Sequence, residues 1–297
     1  YFSDQENIYK VTDYKAKKYF KVYESKTKRV YSFAVKNGVI WVSTRDYSLI
    51  RIDKKSVEVV HKEIKGRLTS LFIDSQNNLW GFEENYGTVI KIDPDNKLTK
   101  YSIVPQNITD PVIKEYNNKV YFVCNQNKIS LFFYDTTKDK FIKESSKLDK
   151  KYNSEFVIND FGLDEHGKIA LMTNNGLFIL NNGIISEVSK PLKGVPFNVK
   201  AIAEVANKKI WIGTEHGLIL KDHEEFITFT KNDGLPNNVI TPRGLAIDKN
   251  GHVWVATSSG LAYWQNNDIV IHKTPTPIIV SVQKKNKELL NETNLVS

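Results

Sequence analysis

The chain is short of several things at once. Its 297 residues include one cysteine, Cys124, so no disulfide can form within it. In the run "VYFVC" that thiol reads as a small buried side chain. Scarce cysteine suits a cytosol and, equally, a bacterial export route that does not rely on disulfides. No run of eighteen apolar residues occurs, so no membrane helix is predicted within the chain. It begins at Tyr1 with no visible signal peptide, which reads as a mature or trimmed chain. The signatures of chemistry are missing too. The six histidines form no H-E-x-x-H or other metal-spaced pair, and neither a G-x-S-x-G elbow nor a P-loop is present. "DPDNK" at Asp93 and "DEHGK" at Asp164 faintly resemble calcium loops. Neither continues to a Glu at the twelfth position, and both read as hairpin turns. In a strand, the adjacent pairs Glu83/Glu84 and Glu224/Glu225 point to opposite faces, so neither is a glycosidase-type dyad. No catalytic residue, metal or cofactor is expected.

What is present suits a folded protein with a large core: 40% hydrophobic and 26% charged residues. The formal net charge of +8 favours anionic partners as a long-range bias. Lysines are densest between Asp13 and Arg29, where aromatics interleave with them. That pattern fits nucleic-acid binding in principle. It also fits an outer β-hairpin whose edge is blunted by lysine, and this second reading is adopted, with no nucleic-acid partner expected.

The strongest positive signal is a repeat. Aligned strands place Trp41, Trp80, Tyr121, Ala170, Trp211 and Trp254 at successive intervals of 39, 41, 49, 41 and 43 residues. Each copy has one grammar. A short apolar strand is followed by a polar turn such as "SQNN", "EHGK" or "KNGH", where Asn and Gly tolerate positive φ. The Trp-bearing strand follows, then a "GLFIL"-type strand, then a fourth. Four short antiparallel strands per forty residues predict an all-β fold, a β-propeller of four-stranded blades. The Trp is then a wedge between neighbouring blades, contributing about 2–3 kcal/mol per buried ring. The Gly before Leu begins the third strand in a conformation that other residues resist.

The N-terminal segment aligns with the third and fourth strands of a blade. The propeller therefore spans 1–274, with a partial first blade at 1–27 followed by six full blades. The ring then has six blades or, as expected for the intact protein, seven. The first two strands of the seventh come either from the C-terminal tail or from upstream sequence. Residues 275–297 read as a linker and the first strands of a truncated Ig-like β domain: "IIVSV" as strand, "QKKNK" as turn, "ELL" as the next strand.

Gly234-Leu235-Pro236-Asn237-Asn238-Val239, followed by Asp248, Gly251, Trp254, Thr257, Gly260 and Leu261, resembles the two-component-regulator propeller repeat. The tail "TPIIVSVQKKNKEL" is similar to the start of the Ig-like triple-tyrosine domain that follows the last blade in that family. Together they resemble the periplasmic sensor region of Bacteroides-type hybrid two-component histidine kinases. The resemblance implies two seven-bladed propellers, an Ig-like domain, a membrane helix and cytoplasmic kinase parts in the whole protein, and a response to oligosaccharides released from glycans. This chain would be the second propeller plus a sliver of the next domain, non-enzymatic and periplasmic, in a membrane-anchored homodimeric receptor whose kinase lies elsewhere. An acidic oligosaccharide fits the charge. The alternatives are a spacer or dimer surface that binds nothing small, and a secreted propeller lyase or hydrolase.

A ligand would meet the turns after the Trp strands, which the ring brings to one face. The candidate positions are Arg45, Tyr47, Tyr86, Asn125, Asn174, Glu215 and His216, together with Arg243 beside the channel.

Overall fold

The computed structural model divides into two compact units, Tyr1–Trp264 and Gln265–Ser297. It describes residues 1–264 except 4–5, 13–14, 22–29, 47–48, 54–55, 104–107, 127, 145–156, 165, 182–183, 188–197, 206–208, 223–224 and 249. Beyond them it describes 282–284 and 287–290.

Turn chemistry sets the strands of the first unit. Asn37 and Gly38 adopt φ of 51° and 81° between two strands, as do Asn117 and Asn118 at 50° and 57°. Positive φ at both central residues is the twist a two-residue hairpin needs. Asn77, Gly167 and Gly251 supply the positive φ of the longer turns. In those turns an aspartate accepts from the backbone: Asn78 N–H donates to Asp74, Lys168 N–H to Asp164 and His252 N–H to Asp248. Asp164 was expected to sit in a turn, as was Asp93, which accepts from Lys97 N–H, whereas Asp74 and Asp248 were expected to end the preceding strands.

A short N-terminal sheet contains β1 (Phe2–Ser3), β2 (Asn7–Thr12) and β3 (Lys15–Lys21). Strands β2 and β3 are the expected third and fourth strands; β1 adds the end of a second. Lys10, Lys15, Lys17, Lys18 and Lys21 are exposed on this hairpin, which matches a solvated lysine face.

Six blades follow. Blade 1 holds β4 (Val30–Lys36), β5 (Val39–Thr44), β6 (Leu49–Ile52) and β7 (Val57–Val60). Blade 2 holds β8 (Leu68–Ile73), β9 (Leu79–Glu83), β10 (Thr88–Ile92) and β11 (Leu98–Ser102). Blade 3 holds β12 (Thr109–Tyr116), β13 (Lys119–Gln126), β14 (Lys128–Asp135) and β15 (Lys140–Lys143). Blade 4 holds β16 (Ile158–Leu163), β17 (Ile169–Thr173), β18 (Gly176–Asn181) and β19 (Ile184–Glu187). Blade 5 holds β20 (Val199–Val205), β21 (Lys209–Thr214), β22 (Leu218–Asp222) and β23 (Glu225–Phe229). Blade 6 holds β24 (Ile240–Ile247), β25 (Val253–Thr257) and β26 (Gly260–Trp264). Its expected fourth strand, 268–273, and the domain boundary at 274/275 lie outside the described residues. Each sheet is an antiparallel meander in chain order, and the first strands of blades 1 to 6 lie side by side in sequence. The fold is an all-β propeller.

The wedge role of the tryptophan is borne out. Trp80 is 1% exposed and packs on Tyr134 and Phe141 of blade 3, with ring centroids 4.9 and 5.8 Å away. Trp211 packs 6.3 Å from Trp264 of blade 6. Trp41 lies against the blade 2 cluster of Leu68, Leu71 and Leu79. The turn aspartate also grips the ring: Trp80 Nε1 donates to Asp74 at 2.7 Å and Trp254 Nε1 to Asp248 at 3.1 Å. One carboxylate thus closes the hairpin and fixes the wedge. At the other end of the second strand, Thr173, Thr214 and Thr257 each donate through Oγ1 to the carbonyl of a glycine three residues on, at 2.8 Å. Those glycines, Gly176, Gly217 and Gly260, have φ of 131°, 136° and 155°, the conformation expected of them.

In the second unit, β27 (Val282–Lys284) pairs antiparallel with β28 (Lys287–Leu290). Gln283 and Lys284 belong to the strand rather than to the expected "QKKNK" turn, because they pair with Glu288 and Lys287.

Replacing Trp80 by Ala is expected to cost about 3–5 kcal/mol, the range for a large buried aromatic. Trp254→Ala, at a half-buried ring, should cost clearly less. Thermal melts followed by circular dichroism check the order; equal losses would argue against the wedge.

Candidate functional site: the channel-mouth rim

The first strand of every blade opens with an irregularity in its pairing to the second. The shifts fall at Val30/Ser32, Thr69/Phe72, Thr109/Val112, Ile158/Asp160, Val199/Ala201 and Ile240/Leu245. A bulge re-aims the extra residue and bends its strand. The residues so displaced include Tyr31, Ser70, Asn159, Lys200 and Arg243. They stand at the end of each blade where the second strand finishes, and hence beside the turns that carry the candidate positions.

Arg243 extends furthest. Its bulge runs over four residues, and it holds φ at 57°. Its Nη1 donates to Ser70 Oγ at 3.3 Å and its Nη2 to the Pro111 carbonyl at 3.1 Å. Ser70, itself at φ 54°, also donates to that carbonyl. A guanidinium from blade 6 therefore spans to blades 2 and 3. Non-glycine residues with left-handed backbone cost about 1–3 kcal/mol each and persist only where the surroundings enforce them. The Arg243 side chain thus lies among blades 2, 3 and 6.

Blades 4 and 5 share a second cluster. Asn159 Nδ2 donates to Asn198 Oδ1 at 2.9 Å and to the Val199 carbonyl at 2.6 Å. Asn198 Nδ2 donates to Glu215 Oε1 at 2.9 Å, and Lys200 Nζ lies 2.9 Å from the same oxygen. Blades 1 and 2 share a third. The Arg67 guanidinium sits 4.0 Å over the Tyr31 ring, its Nε donates to Glu84 Oε2 at 2.5 Å, and its Nη1 donates to Tyr31 Oη at 2.6 Å.

Of the sequence candidates, Glu215 joins the Asn–Lys cluster and Arg243 forms the strut. Asn174 accepts from Val157 N–H at 2.8 Å. Arg45, Tyr86 and His216 are exposed at their turns, Tyr86 by 54%. The Asn125 backbone pairs with Thr109 and Ile129 within β13. Tyr47 and the side chain of Asn125 lie outside the described residues. Sequence reasoning missed Tyr31, Asn159 and Lys200, because a bulge leaves no periodic mark, and Arg67 and Asn198, which directly precede β8 and β20 in the connections between blades. It also passed over Glu83, which stands where four of the other blades have Thr and blade 3 has Cys124. Glu83 is 1% exposed, accepts from the N–H groups of Lys65 and Gly66 at 2.7 and 2.9 Å, and pairs with Lys100 at 2.8 Å. Its neighbour Glu84, in the turn after β9, bonds Arg67 instead.

No group of three or more His, Cys, Asp and Glu side chains that could hold a metal occurs among the described residues. None of the six first strands contains a histidine. His252 lies in the Asp248 turn, 3.1 Å from its carboxylate. His61 sits between Glu63 and Asn96, 3.0 Å from each.

Residues 234–259 match the family model of the two component regulator propeller. The match is to this one segment of the chain. Its opening "GLPNNV" works as a connector. Gly234 ends a 3₁₀ turn capped by Thr230, Leu235 is 3% exposed, and Asn237 and Asn238 accept from the N–H groups of Val239 and Lys231. No curated protein matches the chain in sequence. Among solved structures, the chain is similar to the extracellular domain of a hybrid two component system from B. thetaiotaomicron. The TM-score is 0.68 at 16% identity, over 89% of this chain and 36% of that one. A second such domain from the same organism gives 0.65 at 19% identity, over 80% and 33%. A streptogramin B lyase gives 0.67 at 17%, over 87% and 86%. The chain spans about a third of the length of the two-component domains it matches. These likenesses show the propeller fold.

The single thiol is no nucleophile. Cys124 is 1% exposed, and burial pushes its thiol up to about 12. At pH 8, iodoacetamide is expected to leave the folded chain unlabelled by mass spectrometry and to label it fully in denaturant. Rapid labelling of the native chain would refute the assignment.

Proposed function

We propose that the chain is the extracytoplasmic ligand-sensing module of a hybrid two-component receptor. It responds to glycan-derived oligosaccharides at the channel-mouth rim and passes the signal to a kinase outside the chain. One observation carries this reading: the cluster of Asn159, Asn198, Lys200 and Glu215. Amide, ammonium and carboxylate groups, held by bulges on rigid strands, suit the dense hydroxyls of a sugar. The repeat match at 234–259 and the likeness to ectodomains of two-component systems support the receptor context. Lys200 and Arg243 at the rim, with the +8 net charge, favour an acidic oligosaccharide. In this reading the propeller is periplasmic and non-enzymatic, and the membrane-anchored receptor works as a homodimer. The histidine-free first strands favour sensing over the lyase alternative.

A second reading has its own support. Lys200 already pairs with Glu215, and Arg243 with Ser70 and Pro111, so a ligand must displace existing partners. That favours a structural or protein-interaction propeller acting as a spacer or dimer surface.

Isothermal titration with a panel of neutral and uronate-containing oligosaccharides separates the two. Binding is expected, with Glu215→Ala weakening it about tenfold, equal to ~1.4 kcal/mol. Absence of heat from this chain, alongside clear binding by an intact ectodomain, would favour the spacer. Turnover of any glycan would overturn both.

A further inference from the structure

The wedge junctions are not filled alike. In blades 2, 3 and 6 the wedge residues Trp80, Tyr121 and Trp254 pair with Lys91, Phe133 and Tyr263. The next residue along that third strand is Ile92, Tyr134 or Trp264. This position meets the wedge ring of the preceding blade: Tyr134 lies 4.9 Å from Trp80, and Trp264 lies 6.3 Å from Trp211. In blade 3 the fourth strand adds a second ring, because Phe141 pairs with Tyr134 and lies 5.8 Å from Trp80. Blade 2 offers Trp41 no ring at either place. It offers Ile92 and Leu98, which pair with each other and belong to the cluster on which Trp41 packs.

Two aliphatic side chains fill less of the angle than two rings. A groove of about 410 Å³ remains between blades 1 and 2, with Trp41 and Val60 on one wall and Ile92 on the other. An apolar cavity of about 150 Å³ already suffices to take up benzene. Trp41 is accordingly half-buried, whereas Trp80 is 1% exposed. The groove lies beside the turns of Asn37, Asn77 and Asn96, at the ends of the blades opposite the rim.

Its charges are unevenly matched. Arg51, directly across from Trp41, pairs with Asp53 at 2.5 Å, and Lys36 donates to the Asp74 carbonyl. Glu58, directly across from Arg51 on the outer strand, is exposed and has neither a hydrogen bond nor an ion pair among the described residues. Asp93 brings a second carboxylate to the facing wall, where it accepts from the Lys97 N–H. An open indole face near an unpaired carboxylate suits an aromatic ring that carries positive charge.

We propose that this groove binds a small aromatic amine. Its ring takes the place that Tyr134 and Trp264 hold at other junctions and stacks on Trp41, while its ammonium pairs with Glu58. The site is separate from the rim, and the inference does not depend on the oligosaccharide reading.

Tyramine is the probe, titrated into the 297-residue chain by calorimetry, with p-cresol as its uncharged counterpart. Tyramine is expected to bind saturably and about fivefold more tightly than p-cresol, the scale of one exposed ion pair. Glu58→Gln should bring tyramine to the level of p-cresol and leave the melting temperature unchanged. Ile92→Tyr, which places a ring where blade 3 has Tyr134, should abolish binding of both. Val60→Trp, at a half-buried residue of the facing wall, blocks the same groove without touching the buried Ile92. Glu215→Ala at the rim should leave tyramine binding as it is. The proposal is overturned if tyramine does not bind, if p-cresol binds as tightly, or if Glu58→Gln changes nothing. It is also overturned if a folded groove-filling variant binds as the parent does.

Discussion

A four-stranded blade is too thin to keep both its faces dry, so each must bury them against its neighbours. Everything else in the structure depends on that pairing. A large flat ring at one fixed position fills the angle between sheets that splay from a common axis. Trp80 shows the arrangement most fully, with Tyr101, Tyr134 and Phe141 around it. The ring must also be aimed, and the Asp74 carboxylate does this while holding its own hairpin turn. The coupling of turn to wedge explains why Asp, Gly and Trp recur together at fixed spacing. Stability of such arrays is a sum of local blade and interface contributions, so one poorly matched interface can be tolerated.

The wedge was legible in the sequence because it repeats. Trp41, Trp80, Tyr121, Ala170, Trp211 and Trp254 pair with equivalent first-strand residues, including the two copies where the Trp is lost. The turns were legible for the same reason, since Asn and Gly stand where positive φ is needed. What did not repeat was not legible. Glu83 departs from the Thr of four other blades, and its partners come from one loop, Lys65 and Gly66, and from one strand, Lys100 in β11. The two-residue strand Phe2–Ser3 has no period to read. Arg243 and Ser70 are 173 positions apart, and nothing local to either foretells their contact.

The rim follows from a second constraint. First strands crowd together about the channel, and an extra residue in each lets the strand bend away while its side chain turns to the mouth. The scaffold fixes where these side chains stand but not which they are. Tyr31, Asn159, Lys200 and Arg243 share a position and differ in chemistry. That is how a repeat fold acquires a binding surface without disturbing its packing: conserved geometry at the wedge, free choice at the bulge.

These two constraints meet at blade 6. Its wedge position is held by Trp254, stacked on Tyr263, while its bulge sends Arg243 towards blades 2 and 3. The Arg243 strut ties the last blade to blades 2 and 3, and two residues, Ser70 and Arg243, hold left-handed backbone to let it form. The strain is tolerated because that bond joins blades that are not neighbours, a contact that no wedge ring can supply.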